Sequence, residues 1–170
     1  MMNKGFEIIE AHYLFGYGLE DIDVLMHDES HVHSLVKLKD DSFLADISHP
    51  DMRLPITYAL FEGQTKFECT RIKSFKQLDN YHFHDFDAAK YPCVALAKEA
   101  LKMGGTALAV LNAANEVAVY AFLENRIPFL SIAKIIAKEL NNVKVKRQTI
   151  RNVIAADRLT RLHLRKVIGN

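Results

Sequence analysis

The sequence predicts an α+β chain: a small sheet near its start, followed by an all-α bundle of about four helices. Two observations point there. Alternating apolar residues with turn chemistry between them are confined to residues 22–48, and from residue 92 onward the apolar spacing is helical and punctuated by glycine and proline. With 170 residues, 49% of them hydrophobic and 25% charged, the chain has enough apolar surface for one domain or two small ones.

Each element has its own warrant. Phe6, Ile9, Tyr13 and Leu14 follow Asn3, a good N-cap residue, at helical spacing, which predicts a helix over residues 3–15. Because nothing precedes that helix to fix its direction, the chain is expected to have been cut from a longer one. Residues 22–27, 31–39 and 43–48 read as three short strands of one small sheet. Lys39-Asp40-Asp41-Ser42 turns the second into the third as a hairpin. His49 to Pro55 is a stiff double-proline turn, and Pro55 suits the first turn of a helix reaching about Phe61. Residues 63–90 are irregular but carry Phe67, Phe75, Tyr81, Phe83 and Phe86, too apolar for a disordered tail. They read as a packed connecting segment with room for one strand. Helices are predicted at Pro92–Met103, stopped by Gly104-Gly105, and then over residues 106–126, 131–140 and 148–168.

Charge and punctuation exclude several classes. The 22 basic and 21 acidic residues leave a net charge of +1, which gives no global field for nucleic acid or an anionic membrane. Arg147, Arg151, Arg158, Arg161, Arg165 and Lys166 on the last helix, with Asp157 among them, read as a solvated face. No apolar run approaches the roughly 18 residues of a membrane span. Cys69 and Cys93 form no C-x-x-C pair and the opening residues carry no signal-peptide pattern, so a reduced cytoplasmic setting is expected. The seven glycines form neither G-x-G-x-x-G nor a P-loop, so no cofactor-binding residue is assigned here.

Three groups have the composition for chemistry. Asn3-Lys4-Gly5-Phe6-Glu7 combines helix-terminal N–H groups, an amide and an ammonium, which suits a phosphate, with Glu7 one turn further on. An N-cap followed by a solvated Lys and Glu has the same pattern. His27, His31, His33, His82 and His84 admit a zinc reading, since H-x-H on a strand aims both rings to one side; packing beside a sheet is the other account. Asn112, Asn115 and Glu116 read as a hydrogen-bond network on an alanine-rich helix.

Five segments in order resemble 1-deoxy-D-xylulose 5-phosphate reductoisomerases. Residues 1–11, MMNKGFEIIEA, resemble the family's M-M-N-K-G-L-E-x-I-E-A, and His27 to Ser34 resemble its H-P-x-S-x-x-H-S, with Asp28 standing for Pro. Pro50 to Ile56 match P-D-M-R-x-P-I, Tyr91-Pro92-Cys93 match Y/F-P-C, and Leu111 to Glu116 match L-N-A-A-N-E.

The resemblance implies an enzyme that rearranges 1-deoxy-D-xylulose 5-phosphate and reduces it with NADPH to 2-C-methyl-D-erythritol 4-phosphate, assisted by Mg or Mn, in isoprenoid synthesis. It implies that Asn3 and Lys4 contact the substrate's phosphate end. Glu7 becomes a substrate-binding and catalytic residue that is also a metal ligand. The upstream Asp and Glu ligands, the phosphate-binding serines and histidine, the lid and the NADPH domain have no counterpart here. The expected domains are 1–62, a partial catalytic α/β domain; 63–90, a connecting segment; and 91–170, a C-terminal helical domain. Homodimers, a phosphosugar substrate and a missing N-terminal NADPH domain are the implied partners, with no nucleic acid and no membrane. Alone, the chain is expected to be inactive. A noncatalytic oligomerisation module derived from the enzyme is the alternative.

Overall fold

A computed structural model describes residues 1–64 and 81–169. The expected positions Phe67, Cys69 and Phe75 lie outside the described residues. The chain divides into two compact units, one of residues 1–23 with 87–170 and the other of residues 24–86.

The first unit is helical. α1 (Met2–Phe15) ends at Gly16, whose left-handed φ of 75° directs its N–H to the His12 carbonyl at 2.9 Å. A single 3₁₀ turn follows at Leu19–Asp21. α3 (Pro92–Met103) opens on the proline that the first turn tolerates and stops at Gly104, φ 67°. α4 (Ala107–Leu123) buries Ala107, Val110, Leu111, Ala113, Ala114, Val117, Ala118 and Ala121, so its small side chains let neighbours approach from several sides. α5 (Ser131–Asn142) contributes Ile132, Ile136 and Leu140 to the same core. α6 (Ile150–Ile168) is capped by Thr149, whose hydroxyl accepts from the Asn152 N–H at 3.2 Å, and buries Thr160 and Leu164. α4 packs against α3, α5 and α6, and α1 packs against α3. The four predicted terminal helices are therefore present with nearly the predicted bounds.

The second unit holds the strands. β1 (Leu25–His27) pairs antiparallel with β4 (Phe83–Asp85), His27 opposite Phe83. β2 (Val32–Lys37) pairs antiparallel with β3 (Phe43–Ile47), Lys37 opposite Phe43, with an irregularity between Val32 and Ser34. The hairpin is as predicted, but the single small sheet is not. Among the described residues there are two separate two-stranded ribbons, because β1 takes its partner from the aromatic segment 83–85 and not from β2. At the hairpin tip Asp40 accepts from the N–H and hydroxyl of Ser42, at 3.1 and 2.6 Å, which lowers its pKa. α2 (Arg53–Leu60) follows the double-proline turn with Pro55 in its first turn.

The compact units cut across the boundaries expected from sequence. α1 groups with the terminal helices because Met2, Gly5 and Ile8 form a buried stripe along one face.

Candidate functional site

Asn3, Lys4 and Glu7 come together on the exposed side of α1. The N-cap is Met1 and not the expected Asn3, and no side chain caps the helix, so Asn3 stands inside the first turn. Its amide Nδ2 instead donates to Glu7 Oε1 at 3.0 Å. Lys4 Nζ pairs with Glu7 Oε2. Both carboxylate oxygens thus have a partner, one neutral and one cationic, on a face that leaves 38% of the Lys4 side chain and 43% of the Glu7 side chain exposed. An amide and an ammonium are groups of the kind that suit phosphate oxygens, and a carboxylate is a hard oxygen donor of the kind Mg²⁺ or Mn²⁺ takes.

The histidines follow a different logic. Glu29 accepts from His82 through both the backbone N–H, at 3.2 Å, and Nδ1, at 2.7 Å, and its other contact is His27 Nδ1 at 3.0 Å. The His82 hydrogen bond draws the Glu29 pKa down to about 2, and the same carboxylate raises that of His82. His84 pairs with Asp28 at 3.1 Å, His31 with the Tyr81 hydroxyl at 3.2 Å and His33 with the Ser48 carbonyl at 3.0 Å. His27 stacks on Phe83 with ring centroids 4.7 Å apart and meets the edge of Tyr81 at 5.0 Å. Among the described residues no three His, Cys, Asp or Glu side chains are disposed to hold a metal ion. These imidazoles tie β1 to β4 and the neighbouring turns, so the zinc reading has no ligand set there. Glu29 and Asp28, the partners that organise them, were not read as histidine partners in the sequence, where Asp28 stood out only in place of Pro; their place in the turn after β1, opposite a later H-x-H, is the available signal.

The Pro50 to Met52 turn is fastened by a fork in which Arg53 Nε and Nη2 reach Asp51 at 2.9 and 2.6 Å, holding its pKa at about 2. On α4, Asn112 donates to Glu116 at 2.9 Å, and Glu116 pairs with Arg161 of α6 at 2.8 Å. Arg161 also pairs with Asp157 at 2.9 Å. The arginine lowers the Glu116 pKa, and the two carboxylates raise that of Arg161. Of the expected network these bonds include Asn112 and Glu116 but not Asn115, and Arg161, expected on a solvated face, instead joins α6 to α4.

The model of the DXP reductoisomerase C-terminal domain matches residues 47–163. The chain belongs to the DXP reductoisomerase family. It is 43% identical over 163 residues to the 1-deoxy-D-xylulose 5-phosphate reductoisomerase of Bacillus cereus strain AH187, an alignment covering 95% of this chain and 43% of that protein. The Burkholderia lata reductoisomerase is 47% identical over 158 residues, 92% of this chain and 40% of the relative. The chain therefore spans less than half the length of these relatives. Among solved structures, the Zymomonas mobilis reductoisomerase in complex with NADPH superposes with a TM-score of 0.88 at 39% identity, over 100% of this chain and 45% of that one. A DOX-P reductoisomerase in complex with NADPH, fosmidomycin and magnesium superposes with a TM-score of 0.89 at 35% identity, over 99% of this chain and 44% of that one. The domain match begins at residue 47, after Asn3, Lys4 and Glu7, whereas the Zymomonas mobilis superposition includes them.

Proposed function

We propose that this chain supplies the substrate-phosphate contacts and one metal ligand of an enzyme converting 1-deoxy-D-xylulose 5-phosphate to 2-C-methyl-D-erythritol 4-phosphate with NADPH, in non-mevalonate isoprenoid biosynthesis. The observation that carries the reading is the convergence of Asn3, Lys4 and Glu7 on one exposed face of α1. Asn3 and Lys4 bind the phosphate end of the phosphosugar. Glu7, in contact with substrate and metal, is the catalytic residue.

Glu7 fits one position in a Mg²⁺ or Mn²⁺ shell, being a hard oxygen donor on an accessible face. The described residues offer no set of three donors, so the remaining ligands come from elsewhere in the assembled enzyme. When bound, the metal polarises the substrate's carbonyl and hydroxyl oxygens.

Residues 1–62 serve the catalytic domain, 63–90 connect, and 91–170 form the C-terminal helical domain. NADPH is held by a domain outside this chain, a reading supported by the lack of a dinucleotide glycine motif. The enzyme works in the cytoplasm as a homodimer, without nucleic acid or membrane; Phe43 and Leu44, 61% and 60% exposed on the hairpin, support an association there.

The test is a chimera in which this chain replaces the matching part of the Zymomonas mobilis reductoisomerase, assayed by NADPH oxidation beside the 170-residue chain alone. Metal-dependent turnover by the chimera and none by the chain is expected. Turnover by the chain alone would overturn the division of labour, and a well-folded but inactive chimera would favour a noncatalytic assembly module.

A further inference from the structure

We propose that Gly5 and Ala97 are positioning residues whose contact seats α1 on α3 and so sets where Asn3, Lys4 and Glu7 stand. The inference rests on the reading of those three side chains as substrate and metal contacts, and it goes beyond it by giving the terminal helices a part in the chemistry.

Glycine in a helix interior is disfavoured, and Gly5 does not have the positive φ that would require it. Its use is space. A Cβ placed on Gly5 would lie 2.6 Å from Ala97 Cβ, 3.5 Å from the Cys93 carbonyl oxygen and 3.6 Å from Met2 Sδ. Ala97 is fully buried, on the same stripe of α3 as Val94, Ala100 and Leu101. Carbon atoms pack best at about 3.5–4.0 Å, so one added methyl pushes the helices apart by about 1 Å. α3 cannot yield easily, because it is packed against α4 and α5.

The consequence follows from helical geometry. At roughly 100° per residue, Met2, Gly5 and Ile8 centre on one side of α1, Asn3 and Glu7 lie on the opposite side and Lys4 on the flank. A helix lifted off α3 carries all three outward together. Misplacement by about 1 Å at a reacting centre can cost on the order of 100-fold in rate. The terminal helices act as an abutment for the helix that bears the site.

The experiment is a size exchange across the contact. In the 170-residue chain, nuclear Overhauser contacts from the residue 5 backbone (Hα and amide) to residue 97 should be present, weaken in Gly5→Ala with amide shifts throughout residues 2–15, and return in Gly5→Ala with Ala97→Gly. In the chimera, Gly5→Ala should lower kcat/KM by about 10- to 100-fold, with substrate KM and metal requirement both raised because three side chains move at once. Adding Ala97→Gly should restore kcat/KM to within a few-fold. Alanine is the better helix former, so a loss of activity without a loss of melting temperature separates positioning from folding. Unchanged contacts of the residue 5 backbone with residue 97 in Gly5→Ala, parent-like kcat/KM, or failure of Ala97→Gly to rescue overturns the proposal. If Glu7→Gln is also silent, the site reading fails; if Glu7→Gln inactivates while Gly5→Ala does not, the positioning inference alone fails.

Discussion

Leu111→Ala probes the platform on which α1 rests. Leu111 is fully buried in α4, the helix against which α3, α5 and α6 all pack. Truncation removes three carbons, worth about 2.4 kcal/mol at ~0.8 kcal/mol per buried methylene. Because surrounding helices held at several points collapse only partly, a cavity contribution brings the expected loss to about 3–4 kcal/mol, within the range of roughly 2.7–5 for buried Leu→Ala changes. For a unit of about a hundred residues each kcal/mol moves Tm by roughly 4–8 °C, so a fall of at least about 12 °C is expected. Thermal unfolding followed by far-ultraviolet circular dichroism measures it, with Leu123→Ala as control, since Leu123 is 65% exposed on the same helix. The control should change by no more than about 0.5 kcal/mol. Equal shifts for the two variants would refute the placement of α4 at the centre of the core.

Two further outcomes are expected. Lys4→Ala in the chimera should raise the KM for the phosphosugar more than it lowers kcat, because it removes a phosphate partner and leaves Glu7; steady-state kinetics decide, and an unchanged KM contradicts the assignment. The His82–Glu29 pair should show its linkage by NMR titration. Its histidine pKa is raised above the ordinary 6.5, so that contribution is complete below 6.5 and is lost as pH rises through the folded-state value. The Glu29 pKa is lowered from 4.5 to about 2, so that contribution is present above 4.5 and is lost as pH falls towards 2. The pair is therefore strongest between about 4.5 and 6.5. Glu29→Gln should return His82 to an ordinary titration; no change would contradict the pairing.

The sequence made the helical half legible because its signals are local. Gly104 and Gly105 stop one helix, Pro92 starts another, and Ile132, Ile136 and Leu140 repeat every four residues. The strands were harder. β1 finds its partner more than fifty residues away in a three-residue strand, and runs that short carry no periodicity to match. Asn3 was read as a cap because its residue type prefers that place, yet its amide reaches Glu7 four residues on, a contact available only to a residue already in the helix. The candidate site was legible as a motif, while the support beneath it was not. The apolar spacing expected of α1 was Phe6, Ile9, Tyr13 and Leu14, but the buried residues are Met2, Gly5 and Ile8 while Tyr13 and Leu14 are exposed, and that this stripe meets Ala97 depends on tertiary packing.

The most direct test of the central claim is Glu7→Gln in the chimera, with NADPH oxidation followed across a titration of Mg²⁺ and Mn²⁺. The amide keeps nearly the same size, and the Glu7 side chain is 43% exposed, so melting temperature should be unchanged. It removes an anionic oxygen donor to the metal, and even outer-sphere partners of metal ligands are typically worth about 10- to 100-fold, so turnover should fall by at least that factor at ordinary metal concentration. Near-parental turnover at the parental metal requirement would contradict the placement of Glu7 in the metal site, and with it the function proposed for α1.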